Sequence, residues 1–226
     1  MVEKPIIIFD LDGTLVDSAP DITLAVNKSL VRSKLNPVDE GIVKTFIGNG
    51  PQALVSGILS RKQNVRTRTN PKKVHKDFIE AYRRVCFFYS RVYPQVTACL
   101  SRLTKRFNLV CLTNKPGEIA RPILIYSKLS RYFQVVIAGN TLAERKPSPA
   151  GVFFSAEKLK CRTRNMVMVG DSNTDIETAR LAGIPAVGVN YGYANGKDLS
   201  KQGATATVDQ FNEIPPLLEK LLDRNK

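Results

Sequence analysis

The sequence is poor in the residues that most often carry metal and proton chemistry. Its 226 residues include one histidine, four cysteines and no tryptophan. A single imidazole excludes a zinc or iron site built from several histidines. A nucleophile that relies on a histidine base would have to use His75. If the chain is an enzyme, its proton transfers therefore fall mainly to carboxylates, lysines or water.

Paired cysteines and long apolar runs are also missing. The four cysteines form no C-x-x-C pair, which is typical of reduced thiols inside the cell. The first apolar run covers residues 6–9, which is far shorter than the apolar segment of a signal peptide. No run approaches the roughly 18 residues of a membrane span. We expect a soluble, cytoplasmic protein with no membrane-spanning segment.

Acidic residues are fewer than basic ones, 20 against 34, which gives a net charge of +14. Half of this excess lies in residues 61–84, where nine Lys or Arg face Asp77 and Glu80. Such a charge allows a nucleic-acid-binding module. However, the first aromatic residues of the stretch are Phe78 and Tyr82, which suit the core face of a helix. A solvated helix face explains the charge best, steering of a small anionic substrate comes next, and contact with nucleic acid fits least.

Short apolar runs alternate with amphipathic stretches through much of the chain. The predicted strands are Ile6–Phe9, Leu109–Leu112, Val135–Ala138, Met166–Val169 and Ala186–Val189. Continuous apolar runs suit strands that are buried on both faces of a parallel sheet. Helical patterns cover about 95–105, 117–128, 149–160 and 174–182, the third with Ser148 as its cap and Pro149 at its first position. This alternation predicts an α/β fold with a doubly wound parallel sheet.

The alternation is interrupted over residues 20–90. No convincing buried strand occurs there, and helical patterns cover 22–31 and 74–88. We therefore predict an inserted α-helical subdomain after the first strand. Its expected bounds are 17–85, with 1–16 and 86–226 forming the α/β core.

Two aspartates follow the first predicted strand directly. Asp10 and Asp12 are two residues apart, so an extended backbone directs both side chains the same way. Ligands of open parallel sheets bind beyond the carboxyl ends of the strands. Neighbouring carboxylates repel each other, and a metal ion or a shared proton relieves the repulsion. A polar turn is the simpler interpretation, but Gly13, which permits unusual backbone geometry, and the apolar run before Asp10 argue against it.

A second pair of aspartates follows the strand predicted at 166–169. Asp171 lies at the end of that strand, and Asp175 lies four residues later at a predicted helix start. Residues four apart share one face of a helix, so both carboxylates can approach one cation. Taken alone, Asp175 would be a partner of the helix dipole. Together with Asp10 and Asp12, a shared site is the better interpretation.

Groups suited to phosphate lie at two further strand ends. Thr113 and Asn114 offer a hydroxyl and an amide after the strand at 109–112, before a predicted helix start. Lys146 precedes the helix start at Pro149, on a loop stiffened by Pro147. Each of these groups would be an ordinary surface residue if it occurred alone.

In this order, the four segments resemble the four motifs of the haloacid dehalogenase superfamily. The segments are D-L-D-G-T-L-V-D-S, Thr113-Asn114, Lys146-Pro147 and G-D-S-x-x-D. The resemblance spans the whole chain and implies a Rossmann-like core, with the helical insert similar to a C1-type cap. Within the superfamily, the chain is most similar to the phosphoglycolate phosphatase family. Residues 46–50 and 188–193 add weaker support.

The resemblance implies a Mg²⁺-dependent phosphomonoester hydrolase. Asp10 would attack phosphorus and become a transient aspartyl-phosphate. Asp12 would protonate the leaving group and then take a proton from the hydrolytic water. Lys146, Thr113 and Asn114 would neutralise and orient the transferring phosphoryl group.

The resemblance also implies how the metal is held. Asp10 and Asp171 would bind Mg²⁺ through their side chains, and Asp12 through its backbone carbonyl. Asp175 would act through a water or from behind these ligands. The implied partner is a small phosphorylated metabolite, and both a monomer and a homodimer remain open.

The implied substrate is 2-phosphoglycolate, and a phosphatase or phosphomutase acting on a sugar phosphate is the alternative. The extra polar cap residues of the sugar mutases have no match here, which favours hydrolysis. Asn49 is a candidate substrate contact. Residues 48–53 also fit a G-x-G-x-x-A dinucleotide pattern, but they lack the buried strand and the later acidic residue that this pattern needs.

Overall fold

A parallel six-stranded sheet forms the centre of the molecule. The computed structural model describes residues 3–61, 69–194 and 198–223. The sheet has the order β5-β4-β1-β6-β7-β8, and β2 and β3 form a separate antiparallel pair. The strands are β1 Ile6–Phe9, β2 Val16–Asp17, β3 Arg91–Val92, β4 Asn108–Leu112, β5 Val135–Ile137, β6 Met166–Gly170, β7 Ala186–Val189 and β8 Ala206–Val208.

Strand β1 occupies the middle of the sheet and explains why its apolar run is continuous. Ile6 and Ile8 pack into the core on one face, whereas Ile7 and Phe9 pack into the core on the other. All four side chains are fully buried. Successive strand residues point to opposite faces, so a strand covered on both faces needs apolar residues at every position.

The helices cover both faces of the sheet and fill the segment between β2 and β3. They are α1 Ala19–Arg32, α2 Glu40–Lys44, α3 Pro51–Ser60, α4 Pro71–Val85, α5 Val96–Leu103, α6 Gly117–Tyr126, α7 Ala150–Leu159, α8 Asn173–Ala182 and α9 Ile214–Asp223. Among the described residues, no helix is both long and apolar enough to span a lipid bilayer.

Helices α1 to α4 follow β2, and the chain returns to the sheet through β3. In α4, an apolar stripe at helical spacing, which includes Phe78 and Tyr82, is buried, and α1 is one of the helices it packs against. Burial of each large apolar side chain contributes roughly 1.5–3 kcal/mol. Asn70 begins the helix, because its side chain accepts hydrogen bonds from the backbone N–H groups of Lys72 and Lys73.

A buried carboxylate ties the start of α1 to the segment that leads into β3. Asp21 accepts hydrogen bonds from the backbone N–H groups of Phe88, Tyr89 and Ser90 at 2.8–2.9 Å, and from Ser90 Oγ at 2.5 Å. Four donors satisfy a carboxylate that is fully buried. These hydrogen bonds hold the segment that leads from β2 into α1 next to the segment that leads from α4 into β3.

The structure confirms the doubly wound sheet and all five predicted strands, with bounds that differ by one residue at most. It adds β8, α9 and the β2–β3 pair, which the sequence analysis missed. The predicted start of one helix was wrong, because Ser148 was expected as its cap and Pro149 as its first residue. Helix α7 begins at Ala150 with Pro149 as its cap residue, and Ser148 Oγ accepts a hydrogen bond from the Ala150 N–H. The basic stretch 61–84 is described in part, since residues 62–68 lie outside the described residues.

Candidate active site

The carboxyl ends of β1, β4 and β6 lie side by side and place the predicted residues together. Phe9 pairs with Cys111 of β4 and with Val169 of β6. The backbone N–H of Asp10 still donates to the Val169 carbonyl at 3.0 Å. Asp10 therefore leaves the sheet at its edge, and its carboxylate is buried there with that of Asp12.

Asp171 directly follows β6 and contacts the loop that follows Asp10. Its Oδ2 accepts from the backbone N–H of Tyr193 at 2.6 Å, and its Oδ1 accepts from Thr14 Oγ1 at 3.2 Å. Gly13 adopts a φ of +79°, and a Cβ there would lie 2.1 Å from Asp171 Oδ2. The glycine is thus required both by backbone conformation and by the approach of this carboxylate.

The Asp175 carboxylate, at the start of α8, accepts hydrogen bonds from both Ser172 and Lys146. Its Oδ2 accepts from the backbone N–H and the hydroxyl of Ser172, which completes a capping box. Its Oδ1 accepts from Lys146 Nζ at 2.6 Å. Asp175 therefore caps α8 and also contacts the lysine that lies beside Asp10. Its part in a shared cation site stays a prediction.

Lys146 lies between the two pairs of aspartates. Its Nζ is 2.8 Å from Asp10 Oδ1 and 2.6 Å from Asp175 Oδ1, and the side chain is almost completely buried. Burial alone would lower the pKa of Lys146, but the carboxylates of Asp10 and Asp175 raise it above its ordinary value. The lysine stays charged.

The positive charge of Lys146 does not fully compensate the negative charges of the buried aspartates. Burial raises the pKa of Asp10 to about 7, against the attraction of Lys146 and with the help of Asp175. Burial and the charges of Asp175 and Asp10 also raise the pKa of Asp171 well above its ordinary range. A further cation beside Asp10 and Asp171 would therefore favour the ionised form of both carboxylates.

The donor set fits a divalent cation that prefers oxygen ligands. Asp10, Asp171 and Asp175 offer carboxylate oxygens that lie within 4.8 Å of one another. Lys146 compensates one of these three negative charges, and one Mg²⁺ would balance the remaining two.

Thr113 and Asn114 follow β4 and lie beside Asp10 and Asp12. The Asn114 side-chain amide donates to the carbonyls of Gly48 and Lys146, both at 2.9 Å. The Thr113 hydroxyl accepts from the backbone N–H of Lys115 at 3.2 Å. Asn114 thus holds the loop before α3 against the loop of Lys146. The helix predicted to begin at about 117 does begin at Gly117, three residues after Asn114.

Lys115 is a site residue that the sequence analysis missed. Its buried ammonium lies 2.9 Å from Asp12 Oδ1 and donates to the Tyr82 hydroxyl at 2.5 Å. Asp12 Oδ1 also accepts from Ser18 Oγ at 2.5 Å. The signal was present, because Lys115 lies in the loop directly after a strand end, yet a lone lysine carries no pattern of its own.

A cavity opens in front of Asp10 and Asp12, between the sheet edge and helices α1, α3 and α4. Its empty volume is about 430 Å³, including its open mouth. The described lining is Asp10, Asp12, Ile22, Phe46, Ile47, Gly48, Gly50, Pro51, Leu54, Phe78, Tyr82, Thr113, Asn114, Lys115 and Pro116. Apolar walls around a few polar groups are typical of a small-molecule site.

Five candidates are not among the described lining residues of this cavity. Three of them, Lys146, Asp171 and Asp175, lie close to Asp10, and the other two are Asn49 and His75. Asn49 is exposed, and its side-chain oxygen accepts from Thr174 Oγ1 at 2.9 Å. His75 lies in an adjoining surface groove that shares Pro51, Asn114 and Pro116 with the cavity and does not include Asp10 or Asp12. Burial lowers the pKa of His75. The placement of His75 agrees with the non-catalytic role expected for it, whereas Asn49 is not among the residues lining the cavity.

The family of the chain follows from this fold and from a match along most of its length. Residues 7–189 match the family model of the haloacid dehalogenase-like hydrolases. The chain belongs to this family, as its motifs indicated. It is an enzyme, a hydrolase of the phosphatase type.

Similar proteins narrow the comparison further. A phosphoglycolate phosphatase of Colwellia psychrerythraea is 36% identical over 216 residues, which cover 94% of this chain and 96% of the relative. One of Cupriavidus necator is 37% identical over 216 residues, covering 94% of this chain and 92% of the relative. The crystal structure of a predicted phosphoglycolate phosphatase from Haemophilus somnus superposes with a TM-score of 0.90 at 31% identity, covering 96% of this chain and 99% of that one.

Proposed function

We propose that the enzyme hydrolyses 2-phosphoglycolate to glycolate and phosphate, with Mg²⁺, through a phosphorylated Asp10. The observation that carries this proposal is the position of Asp10, which follows the carboxyl end of β1 and lines the cavity. Lys146 lies 2.8 Å from its carboxylate, and Asp12 lies two residues further along the chain. A nucleophile, a cation and a second carboxylate for proton transfer are the groups that such a reaction needs.

The first step forms a bond from Asp10 to phosphorus and breaks the ester bond. A carboxylate oxygen of Asp10 attacks, the ester oxygen leaves with the bonding electrons, and protonated Asp12 gives this oxygen its proton. Ser18 and Lys115 hold Asp12 Oδ1, so the proton is carried by the other oxygen, Oδ2. The products of the step are glycolate and an aspartyl-phosphate.

In the second step, water replaces Asp10 on phosphorus. Asp12, now ionised, takes a proton from this water as the water attacks, and the Asp10 carboxylate leaves. Asp12 thus begins and ends the cycle protonated, which is ordinary general acid–base catalysis. Lys146 stays charged throughout and balances the negative charge that gathers on the phosphoryl group.

Asp10 and Asp171 would hold the metal through their side chains, Asp12 through its backbone carbonyl, and Asp175 through water. When bound, Mg²⁺ neutralises the phosphate oxygens and reduces their repulsion of the attacking carboxylate. Thr113 and Asn114 would orient the phosphoryl group. The Asn114 amide already binds two carbonyls, so its share in this task is mainly to fix the loops around the site.

We further propose that residues 17–85 act as a cap over the site. Support comes from β2 and β3, which form the paired connection on either side of helices α1 to α4. Leu54 and Phe78 from these helices, and Phe46 from the loop between α2 and α3, line the cavity together with Asp10. Closure of such a cap would exclude water from the reacting groups.

The substrate is proposed from the names of the relatives and from the size of the site. Both curated relatives cited above are named phosphoglycolate phosphatases and match almost end to end. A small, mostly apolar cavity suits a small phosphoester. A sugar phosphate is the second candidate substrate. We also propose that the enzyme is cytoplasmic and that it is a monomer or a homodimer.

A nucleic-acid substrate or partner receives less support. In the described part of 61–84, Lys73 pairs with Asp77, Arg84 with Glu80 and Arg83 with Glu118. Phe78 is buried and Tyr82 faces the cavity, so neither offers a stacking surface to a base. Titration with DNA at physiological salt should show no binding.

A screen of small phosphoesters tests the proposed function. 2-Phosphoglycolate should give the highest kcat/KM in the presence of Mg²⁺, and a chelator should abolish turnover. A sugar phosphate as the best substrate would move the assignment to the second candidate. Equal, slow rates on every ester would contradict a dedicated phosphoglycolate phosphatase.

A further inference from the structure

The proposed reaction uses one buried cation, Lys115, only to hold Asp12 Oδ1. Lys146 balances the phosphoryl group, whereas Lys115 touches neither Asp10 nor Lys146 in the contacts described. Its side chain is only 4% exposed. A buried ammonium group is costly unless it is paired, so its presence in the cavity wall requires a partner.

The contacts of Lys115 fix its ammonium group in the cavity wall. Its Nζ lies 2.9 Å from Asp12 Oδ1, and the Tyr82 hydroxyl accepts a hydrogen bond from the same ammonium group at 2.5 Å. Lys115 therefore presents a fixed positive charge to the cavity that it lines.

The position of Lys115 indicates which part of the substrate this charge would bind. Its ammonium group contacts the residue that protonates the ester oxygen, so it lies next to the alcohol part of the substrate. An ammonium group has three N–H donors, and the contacts with Asp12 and Tyr82 use two of them. A third donor remains for a group of the substrate.

The rest of the cavity wall limits what this group can be. Of the described residues that line the cavity, Lys115 is the one with a positive charge. Most of the other lining residues contribute apolar side chains, such as Ile22 and Leu54 from the helices and Phe46 from the loop between α2 and α3. A second anionic group on the substrate therefore has one suitable partner, and it must lie close to the ester oxygen.

We propose that Lys115, supported by Tyr82, is the specificity-determining residue and binds a carboxylate that is one carbon away from the ester oxygen. This inference rests on the proposed function and deepens it. The enzyme selects phosphoesters of short 2-hydroxy acids by this one ion pair.

The test compares two substrates of equal shape on two variants. The substrates are 2-phosphoglycolate and its amide, in which the carboxylate is replaced by a neutral carboxamide. The variants are Lys115→Met and the control Lys105→Met; Lys105 is exposed and lies before β4, at the opposite end of that strand. The measured quantity is the ratio of kcat/KM for the acid to kcat/KM for the amide, in the presence of Mg²⁺.

The wild type and Lys105→Met should prefer the acid by about 100-fold, the size expected for a charged hydrogen bond in a buried site. Lys115→Met should reduce this preference to about threefold or less, although it also slows both reactions because Asp12 loses a contact. Tyr82→Phe should reduce the preference by about threefold to tenfold.

Three results would overturn the inference, and they separate it from the proposed function. If the wild type prefers the acid and Lys115→Met keeps the ratio, the substrate assignment stands but Lys115 acts only on Asp12. If the wild type hydrolyses acid and amide equally well, both proposals are wrong. Should Lys115→Met fail to fold, Tyr82→Phe decides, and an unchanged ratio in that variant contradicts the proposal.

Discussion

At the scale of single residues, the site is a set of buried charges that balance one another incompletely. Lys146 is shared by Asp10 and Asp175, and Lys115 is paired with Asp12. Buried ion pairs contribute little net stability, but the loss of one member leaves an uncompensated charge. Each substitution in this set should therefore affect both activity and stability.

Lys146→Met tests the central cation. We expect kcat to fall by about 10³-fold, because the phosphoryl group loses its fixed positive partner. The free energy of unfolding at pH 8 should fall by about 3 kcal/mol, since Asp10 and Asp175 are left buried without a cation. Steady-state kinetics and chemical denaturation measure the two effects, with Lys105→Met as the control. A variant that keeps a tenth of the wild-type kcat would contradict this role.

His75→Ala tests the role of the only imidazole. His75 lies in a surface groove apart from Asp10 and Asp12, so kcat/KM should stay within about twofold of the wild type, as surface changes seldom matter. The same assay with Asp12→Asn should show a loss of about 10³-fold, typical of a removed general acid. The reverse order of effects would mean that the proton transfers have been assigned to the wrong residues.

At the scale of elements, the strand ends and loops position the site, and the helices between β2 and β3 are tied back to the sheet. Asp21 of α1 binds three successive backbone N–H groups before β3. The hydroxyl of Tyr193 accepts from the Ser18 and Ala19 N–H groups, while its own N–H binds Asp171. The segment after β7 thus contacts both the start of α1 and the site.

Asp21→Asn should weaken the connection between α1 and β3. An amide has one oxygen to offer where the carboxylate has two, so buried N–H groups lose their partner. We expect the free energy of unfolding to fall by about 2–3 kcal/mol, the size of lost hydrogen bonds to a charged group. Denaturant titration provides the measurement, and the matched control is Asp39→Asn, at an exposed residue before α2 whose side chain makes no capping hydrogen bond, with a much smaller loss. Equal losses in the two variants would refute a special role for Asp21.

Sequence patterns predicted the long buried strands and missed the short strands that depend on tertiary contacts; they also missed the ten-residue helix α9. The continuous apolar runs of β1 and β6 are readable because both faces of these strands are buried. Strand β8 has three residues, two of them only half-buried, so its pattern is too short to stand out. The β2–β3 pair has two residues in each strand and is defined by its partner rather than by its own residues.

The site shows the same division. Asp10, Asp12, Asp171 and Asp175 were predicted, because paired carboxylates at strand ends form a pattern. Their separate roles were implied only by resemblance, and they remain proposals. Lys115 was missed because its importance comes from two residues, Asp12 and Tyr82, that are far from it in the sequence. Charge partners brought together by folding leave no local pattern.

At the scale of the whole molecule, the acidic site makes stability depend on pH and on metal. The folded pKa of Asp10 is about 7, above its ordinary value of 3.8. The folded state therefore binds this proton more tightly than the unfolded chain, so its contribution favours folding below about pH 4 and is lost as pH rises through 7. Without a metal, the site destabilises the protein most at alkaline pH.

Mg²⁺ should offset this destabilisation, and more strongly at high pH. We expect the rise in Tm caused by saturating Mg²⁺ to be about 5 °C larger at pH 8 than at pH 5, because the metal competes with protons for the same carboxylates. Differential scanning fluorimetry can measure this. In Asp171→Asn the shift should shrink sharply at both pH values. A shift of equal size at pH 5 and pH 8 in the wild type would argue against a metal at these carboxylates.

Chemical trapping of the phosphorylated enzyme tests the central claim most directly. Asp12→Asn should be mixed with p-nitrophenyl phosphate, whose leaving group needs no proton, so that the intermediate forms but reacts slowly with water. Reduction of the quenched protein with borohydride converts a phosphorylated aspartate into homoserine, which mass spectrometry locates. We predict homoserine at position 10 and none in the Asp10→Asn, Asp12→Asn double variant. A phosphorylated residue elsewhere, or no modified residue despite release of p-nitrophenol, would contradict Asp10 as the nucleophile.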